Sequence, residues 1–405
     1  MPLKRLILVL QASTAVLSAS YGVMFTMLDD YRDKYGIAES GLGLVVAMGF
    51  FASFVSQILI APMADRGFAK RLLVIGFSLA VIGSLGMAFG GSLSALLVSR
   101  TVMGIGTGMS LPALRRIVIV SDPEHLGSNM GRMLSVDVGG FAAGPIISAL
   151  TVDTLGIAAP FIVIAVLLVV MAGYLARVRV PETREEDRPT ERLAFDLLRI
   201  PAVTGAVLIG VALFVMIGTF DSLWSLMMDD LDAPTWMANA GVSLFALPMI
   251  VLGPRGGRLS QSRGPYRMGA IGMTVGLVCM CGYGLLASPY VMFAVLCLHM
   301  LNDGLTVTSA GIAVGMAAPQ ERQAGAQGLL GGIQTLVGGI VATLAGWCYD
   351  HFGRATTFVS SAMVMSVLVV LGLWLAGPYR WSSPPAHDAP GDAADSAPGD
   401  LAPTS

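Results

Sequence analysis

His299 and Asp303 stand four residues apart inside an otherwise apolar stretch of the chain, with Asn302 and Thr306 beside them. Separations of three and four residues stack side chains on one face of a helix. A carboxyl group in apolar surroundings can hold a proton at neutral pH, and an imidazole one turn away can share or relay it. The alternative is a hydrogen-bonded pair that only packs. Two further carboxylates, Asp137 and Asp221, interrupt other apolar runs, and Trp224 follows Asp221 by three residues. An acid beside an indole suits a lipophilic cation, although either acid could instead be a structural hydrogen-bond acceptor. Arg100 places a guanidinium in similar surroundings, which is costly unless it faces protein or water. Gln11, Thr14, Ser18 and Tyr21 follow one another at separations of three, four and three residues. A polar stripe of that kind on a lipid-bathed helix looks inward. The candidates for handling protons are therefore Arg100, Asp137, Asp221, His299 and Asp303.

The elements that must hold these groups are membrane spans. The 405-residue chain is 55% hydrophobic and 12% charged, where a soluble domain is about 25% charged. Twelve apolar runs, near 6–28, 41–63, 72–90, 94–114, 132–151, 158–177, 202–228, 236–254, 268–286, 290–316, 325–347 and 356–376, approach the length that crosses a bilayer as a helix. Lys4 and Arg5 ahead of the first run resemble a secretory signal, but the apolar segment continues to Leu28 and more spans follow, so it is the first span. With a cytoplasmic N-terminus, twenty Lys and Arg fall on the cytoplasmic side, among them Arg66, Lys70, Arg71, Arg115, Arg116, Arg132, Arg263 and Arg322. Only Arg32, Lys34 and Arg354 fall outside. That bias predicts a multi-pass protein of the cell membrane with both termini in the cytoplasm. The expected organisation is all-α: a six-helix bundle over 1–177, a charged cytoplasmic linker over 178–200, a second six-helix bundle over 201–376, and a disordered cytoplasmic tail over 377–405.

The same inventory argues against an enzyme. His125, His299, His351 and His387 are scattered, and Cys279, Cys281, Cys297 and Cys348 lack the spacing of a zinc site. No metal or cofactor is expected, and without a basic domain no nucleic-acid partner.

The two halves echo each other. Arg66-Gly67 recurs as Arg263-Gly264 after 197 residues, and the same shift carries Gly131 onto Gly328 and Asp153 onto Asp350. Such weak internal symmetry between halves marks a duplicated transporter. Three motifs narrow this. Asp65 and Arg66, with Arg71 behind them, resemble motif A of the major facilitator superfamily, although Ala61 stands where the pattern has its first glycine. Gly257, Arg263 and Gly264 form its fainter second copy. A carboxylate there can accept bonds from the N-terminus of a neighbouring helix and from a guanidinium, making a latch that breaks when the halves rock; the plain alternative is a membrane-boundary anchor. Arg100, Gly104, Gly106 and Gly108 resemble motif B of proton-driven members. Gly131, Gly140, Gly144 and Pro145 resemble motif C of the antiporters, with Ser148 and Ala149 in place of its closing glycine pair.

The resemblance covers about residues 1 to 376 and implies the twelve-helix fold of that superfamily. It also implies a central cavity lined by spans one, four, seven and ten. Gln11, Thr14, Ser18, Tyr21, Trp224, Asn302 and Thr306 then line the substrate site, and motif C seals a seam between the bundles. The function implied is proton-coupled efflux of small lipophilic compounds by alternating access. An uptake symporter, a metabolite exporter and a non-transporting sensor of the same fold are the alternatives. The expected partners are a small molecule, protons and the lipid bilayer, and the expected oligomeric state is a monomer.

Overall fold

The computed structural model describes residues 2–382, and the greater part of the expected tail, 383–405, lies outside them. Ten helices and one long broken helix carry the apolar runs: α1 (Leu3–Thr26), α2 (Glu39–Leu59), α3 (Ala69–Phe89), α4 (Leu93–Ser121), α5 (Leu126–Leu155), α6 (Ala159–Arg177), α7 (Pro201–Asp229), α8 (Thr235–Arg263), α9 (Pro265–Leu285), and α10 (Pro289–Thr306, resumed as Ser309–Ala317). The continuous helix Gln323–Ala376 supplies the last two spans, because Gly353 at φ 78° breaks its geometry. We number its parts α11 (323–352) and α12 (354–376). A left-handed backbone is open to glycine and costs other residues about 1 kcal/mol or more, so the sequence breaks the helix where a chain must turn at the membrane surface. The described residues thus hold twelve spans, in the expected order.

Local chemistry sets the ends. Pro201, Pro265 and Pro289 occupy the first helical positions of α7, α9 and α10, where the missing N–H is no loss. The Ser92 hydroxyl accepts from the Ala95 amide at the start of α4. Two boundaries differ from expectation. Helices α4 and α5 run to Ser121 and from Leu126, so Arg115, Arg116 and Arg132 belong to helices and not to a loop. The tail begins with a 3₁₀ turn over Gly377–Arg380, which shortens the segment expected to be disordered.

In the first half, α4 packs between α2 and α3, α1 lies along α5, and α3 lies along α6. In the second half α7 and α9 pack on the α11–α12 helix, and α8 lies along α10. Each half has its own apolar core. The outward faces present Leu8, Ile75, Ile82, Val98, Val166, Leu150 and Trp374, as a surface solvated by lipid does. The halves meet along α5–α8 and α2–α11, with α4 also touching α11. These seams lie at one end of the bundle, where the arginine-rich turns gather.

Candidate functional site

At that end the turn Ala61–Arg66 after α2 delivers Asp65, which is 1% exposed. Its carboxylate accepts from the amides of Ala324 (2.9 Å) and Gly325 (2.6 Å) at the start of α11. Arg116 Nε donates to the same carboxylate at 3.1 Å. A helix start offers unpaired N–H groups and a positive dipole end, so one acid ties the two halves together. The cation in this latch is Arg116, one turn before the end of α4, and not Arg66 or Arg71. Arg71 is exposed and lies over the Phe68 ring. The guanidinium that arrives from α4 is the one that bonds the Asp65 carboxylate.

The linker between the halves is bound across this end. Glu182 accepts from the amides of Ala69 and Lys70 and caps α3. Arg116 also donates to Pro181 O and Thr183 Oγ1. Further along, Asp196 accepts both terminal nitrogens of Arg322 at 2.9 and 2.7 Å, and Ala194 packs against Gly325. Charges of the expected linker over 178–200 are in part engaged in these contacts.

The second seam is built from backbone. A Cβ on Gly127 would lie 2.2 Å from Gly257 O, and one on Gly131 would lie 2.1 Å from Gly253 O. Two glycine pairs, each four residues apart, thus let α5 and α8 touch main chain to main chain. Gly257, expected in a second gate, is part of this crossing. The position that mirrors Asp65 holds no acid. Gln261 acts there instead: its Oε1 accepts from Gly127 N at 2.7 Å, and its Nε2 donates to Pro123 O and Glu124 O. Arg263 is exposed beside it, and Gly264 turns at φ 95°. The sequence signal for Gln261 was only its place near the end of the repeat, and a neutral side chain gave no other.

Above the seams in the first half, Arg100 is fully buried, its guanidinium 4.2 Å from the centre of the Tyr21 ring and 5.9 Å from that of Phe50. Gly49 makes the room, since a Cβ there would meet Arg100 Nε at 2.2 Å. Motif B therefore packs one helix into its own half. Gly104 and Gly108 sit against the backbone of α2 and Gly106 against that of α3, with Arg100 shielded by rings.

The stripe on α1 faces α4 and α5. Thr14 lies against Met133, Ser18 donates to Asp137, and Tyr21 shares a hydrogen bond with Thr107 at 2.6 Å. Gln11 is buried, and its Nε2 has no hydrogen-bond partner among the described residues. Thr14 and Ser18 thus make contacts with α5. Motif C divides likewise. Gly140 and Gly144 sit on the α1 backbone at Ala15 and Gly22, and Gly131 alone lies at the seam between halves. Helix α5 continues through Pro145.

In the second half the polar face of α10 also turns into its own bundle. Asp303 is fully buried, with Oδ2 3.6 Å from His299 Nε2. Asn302 donates to Gly272 O on α9 and to Asp303 Oδ1, both at 3.1 Å. Thr306 donates back to Asn302 O and lies over Gly272. His299 is closed in by Phe220, Phe245 and Tyr283, with Tyr283 Oη 3.1 Å from its Nδ1 and Met216 Sδ 3.2 Å from its Nε2. Trp224 belongs to this aromatic packing and donates to Ala238 O on α8. Main-chain carbonyls of α8 and α9 thus accept from the Trp224 indole and the Asn302 amide, and Thr306 bonds its own helix. Asp221 differs. It is exposed, and it follows Gly218, which meets Gly338 of α11 in the same half, by three residues along α7.

The comparisons agree with this architecture. The family model for the Major Facilitator Superfamily matches residues 10–298 and 206–403. The quinolone resistance protein NorA of Staphylococcus aureus is 30% identical over 144 residues, covering 34% of this chain and 36% of NorA. The methyl viologen resistance protein SmvA of Salmonella typhimurium is 26% identical over 183 residues, covering 45% of this chain and 34% of SmvA. The matched stretches thus span about a third of each curated relative. Among solved structures, the E. coli fucose:proton symporter FucP superposes with a TM-score of 0.75 at 14% identity, over 91% of this chain and 98% of FucP.

Proposed function

The chain belongs to the major facilitator superfamily, and from that premise we propose that this multi-pass membrane transporter expels lipophilic compounds in exchange for protons. The observation that carries the reading is the His299–Asp303 pair: an imidazole and a carboxyl, both fully buried, 3.6 Å apart and in the middle of a span. Ionisable groups that deep are expensive and mark proton paths or ligand sites. The resistance proteins NorA and SmvA favour efflux over uptake. The arginine-rich end is taken as cytoplasmic. The latch at Asp65 and the glycine seam then close the inside, and Asp137 and Asp221 are taken to face the space that opens to the outside. Proton arrival at the acids weakens their hold on a bound cation, and the reverse step recharges the site once the halves have rocked. One chain holds the complete path.

Inside-out vesicles test this. Imposing an acid interior should drive an amphiphilic cation inward, and a protonophore should abolish the movement. Asp303→Asn should lose the driven movement and keep exchange between two pools of the cation. Accumulation that ignores the protonophore, or unchanged driven transport in the variant, would sink the proposal.

A further inference from the structure

Arg115 has no part in the cycle just described, yet its surroundings are unusual. It lies in α4 one residue before the latch cation, and its Nη2 stands 3.9 Å from Asp137 Oδ2. That is beyond hydrogen-bond distance. The side chains of the pair are 27% and 30% exposed, whereas Arg116 and Asp65 are 3% and 1% exposed at 3.1 Å. Neighbouring arginines on one helix thus make a closed ion pair and an open one.

The open pair faces the space between the halves. Met130, Asp137 and Phe141 share a stripe of α5 at separations of seven and four residues. Met130, at the lower end of that stripe, packs with Ile312 of α10 in the opposite half. Arg115 reaches the same region from α4, since a Cβ on Gly331 of α11 would lie 3.9 Å from its Nη1. The halves close just beneath: Ser135, two residues below Asp137, donates to Met249 O on α8. Ser18 holds Asp137 Oδ1 from the α1 side. One carboxylate oxygen and the donors of a guanidinium are left turned toward the same space.

This arrangement discriminates by charge. A simple cation beside Asp137 is repelled by Arg115, and a simple anion beside Arg115 is repelled by Asp137; a molecule bearing both charges a few ångströms apart satisfies both. We propose that Arg115 and Asp137 form a floor subsite for zwitterionic amphiphiles, with the ligand's carboxylate on Arg115 and its cationic centre on Asp137. Transport of such molecules outward rests on the export reading above; their recognition does not.

Rhodamine B, a zwitterion with a free carboxylate, and its ethyl ester, a cation of nearly the same shape, are suitable probes. Binding to the purified full chain in detergent is read by fluorescence anisotropy. The wild type should bind the zwitterion more tightly than the ester, by about tenfold for one charge-assisted contact. Arg115→Gln should collapse that ratio toward one, Arg115→Lys should retain a preference, and Asp137→Asn should weaken both dyes. Equal or tighter binding of the ester by the wild type overturns the proposal, as does a ratio that Arg115→Gln leaves unmoved, or failure of rhodamine B to bind. Driven movement of the ester in vesicles tests export separately: its absence with the binding preference intact removes export and leaves the subsite standing.

Discussion

His299 stands between Asp303 and Met216 on one side and a hydroxyl on the other, and with Asp303 ionised that selects which nitrogen carries its proton. Nε2 faces Asp303 Oδ2 at 3.6 Å and Met216 Sδ at 3.2 Å, both acceptors. The neutral ring therefore protonates Nε2 and accepts at Nδ1 from the Tyr283 hydroxyl, 3.1 Å away. Tyr283 is a positioning residue: its hydroxyl bonds the imidazole and aims it at the acid. Removing its hydroxyl frees the ring to adopt the other tautomer, with its N–H turned away from Asp303. Tyr283→Phe should lower the proton-driven rate by about tenfold, the worth of one buried hydrogen bond to the ring, and move the pH dependence of transport while the KM for the transported dye stays near its wild-type value. A variant with lower rate and an unmoved pH profile would reduce Tyr283 to packing. Nothing in the sequence singled out Tyr283, because it lies on α9, sixteen residues from His299, and reaches it only through the fold.

At the level of helices, the sequence revealed the spans and their repeat but not the neighbour each face would meet. Apolar runs and charged turns sufficed for the first, since bilayer thickness and the cost of burying charge leave little choice. Periodicity says that Asn302, Asp303 and Thr306 point together; it does not say whether they point at a cavity or at the backbone of α9, where Gly272 receives Asn302 and Thr306. The motif C glycines make the same point and separate two outcomes. Gly144 lies on α1 within one half, where an added Cβ would meet Gly22 C at 2.3 Å, whereas Gly131 lies on α8 across the seam, 2.1 Å from Gly253 O. Gly144→Leu should therefore damage the fold, with lost expression and a lowered unfolding temperature, by several kcal/mol as for other overpacked contacts. Gly131→Leu should leave each half intact and wedge the seam, so that a cysteine in place of Ser135, whose hydroxyl bonds Met249 O across that seam, becomes reactive to a membrane-impermeant label added at the arginine-rich face. If both variants behave alike, the division of the motif between a structural and a mobile contact is wrong.

For the whole molecule, the two seams close the same end by different chemistry. On the α2–α11 side a buried carboxylate bonds a helix start and a guanidinium. On the α5–α8 side a neutral amide and four glycines do the corresponding work. A carboxylate latch is stronger and all-or-none, since its charge cannot be left buried without partners; glycine backbones in contact slide with little penalty. In the proposed cycle, opening needs loss of the Asp65 bonds while α5 and α8 roll over each other. A cross-link across the weaker side should nonetheless stop the cycle, because both seams must part for the arginine-rich end to open. Gln261 Nε2 reaches Glu124 O at 3.0 Å, so cysteines at these two positions, in a chain whose own four cysteines are replaced, should join readily with a short bifunctional reagent. The joined protein should bind dye added from the opposite face and move almost none, and a cleavable reagent should restore movement on reduction. Full transport by the joined protein would mean that the end closed by Asp65 and Gln261 is not the gate.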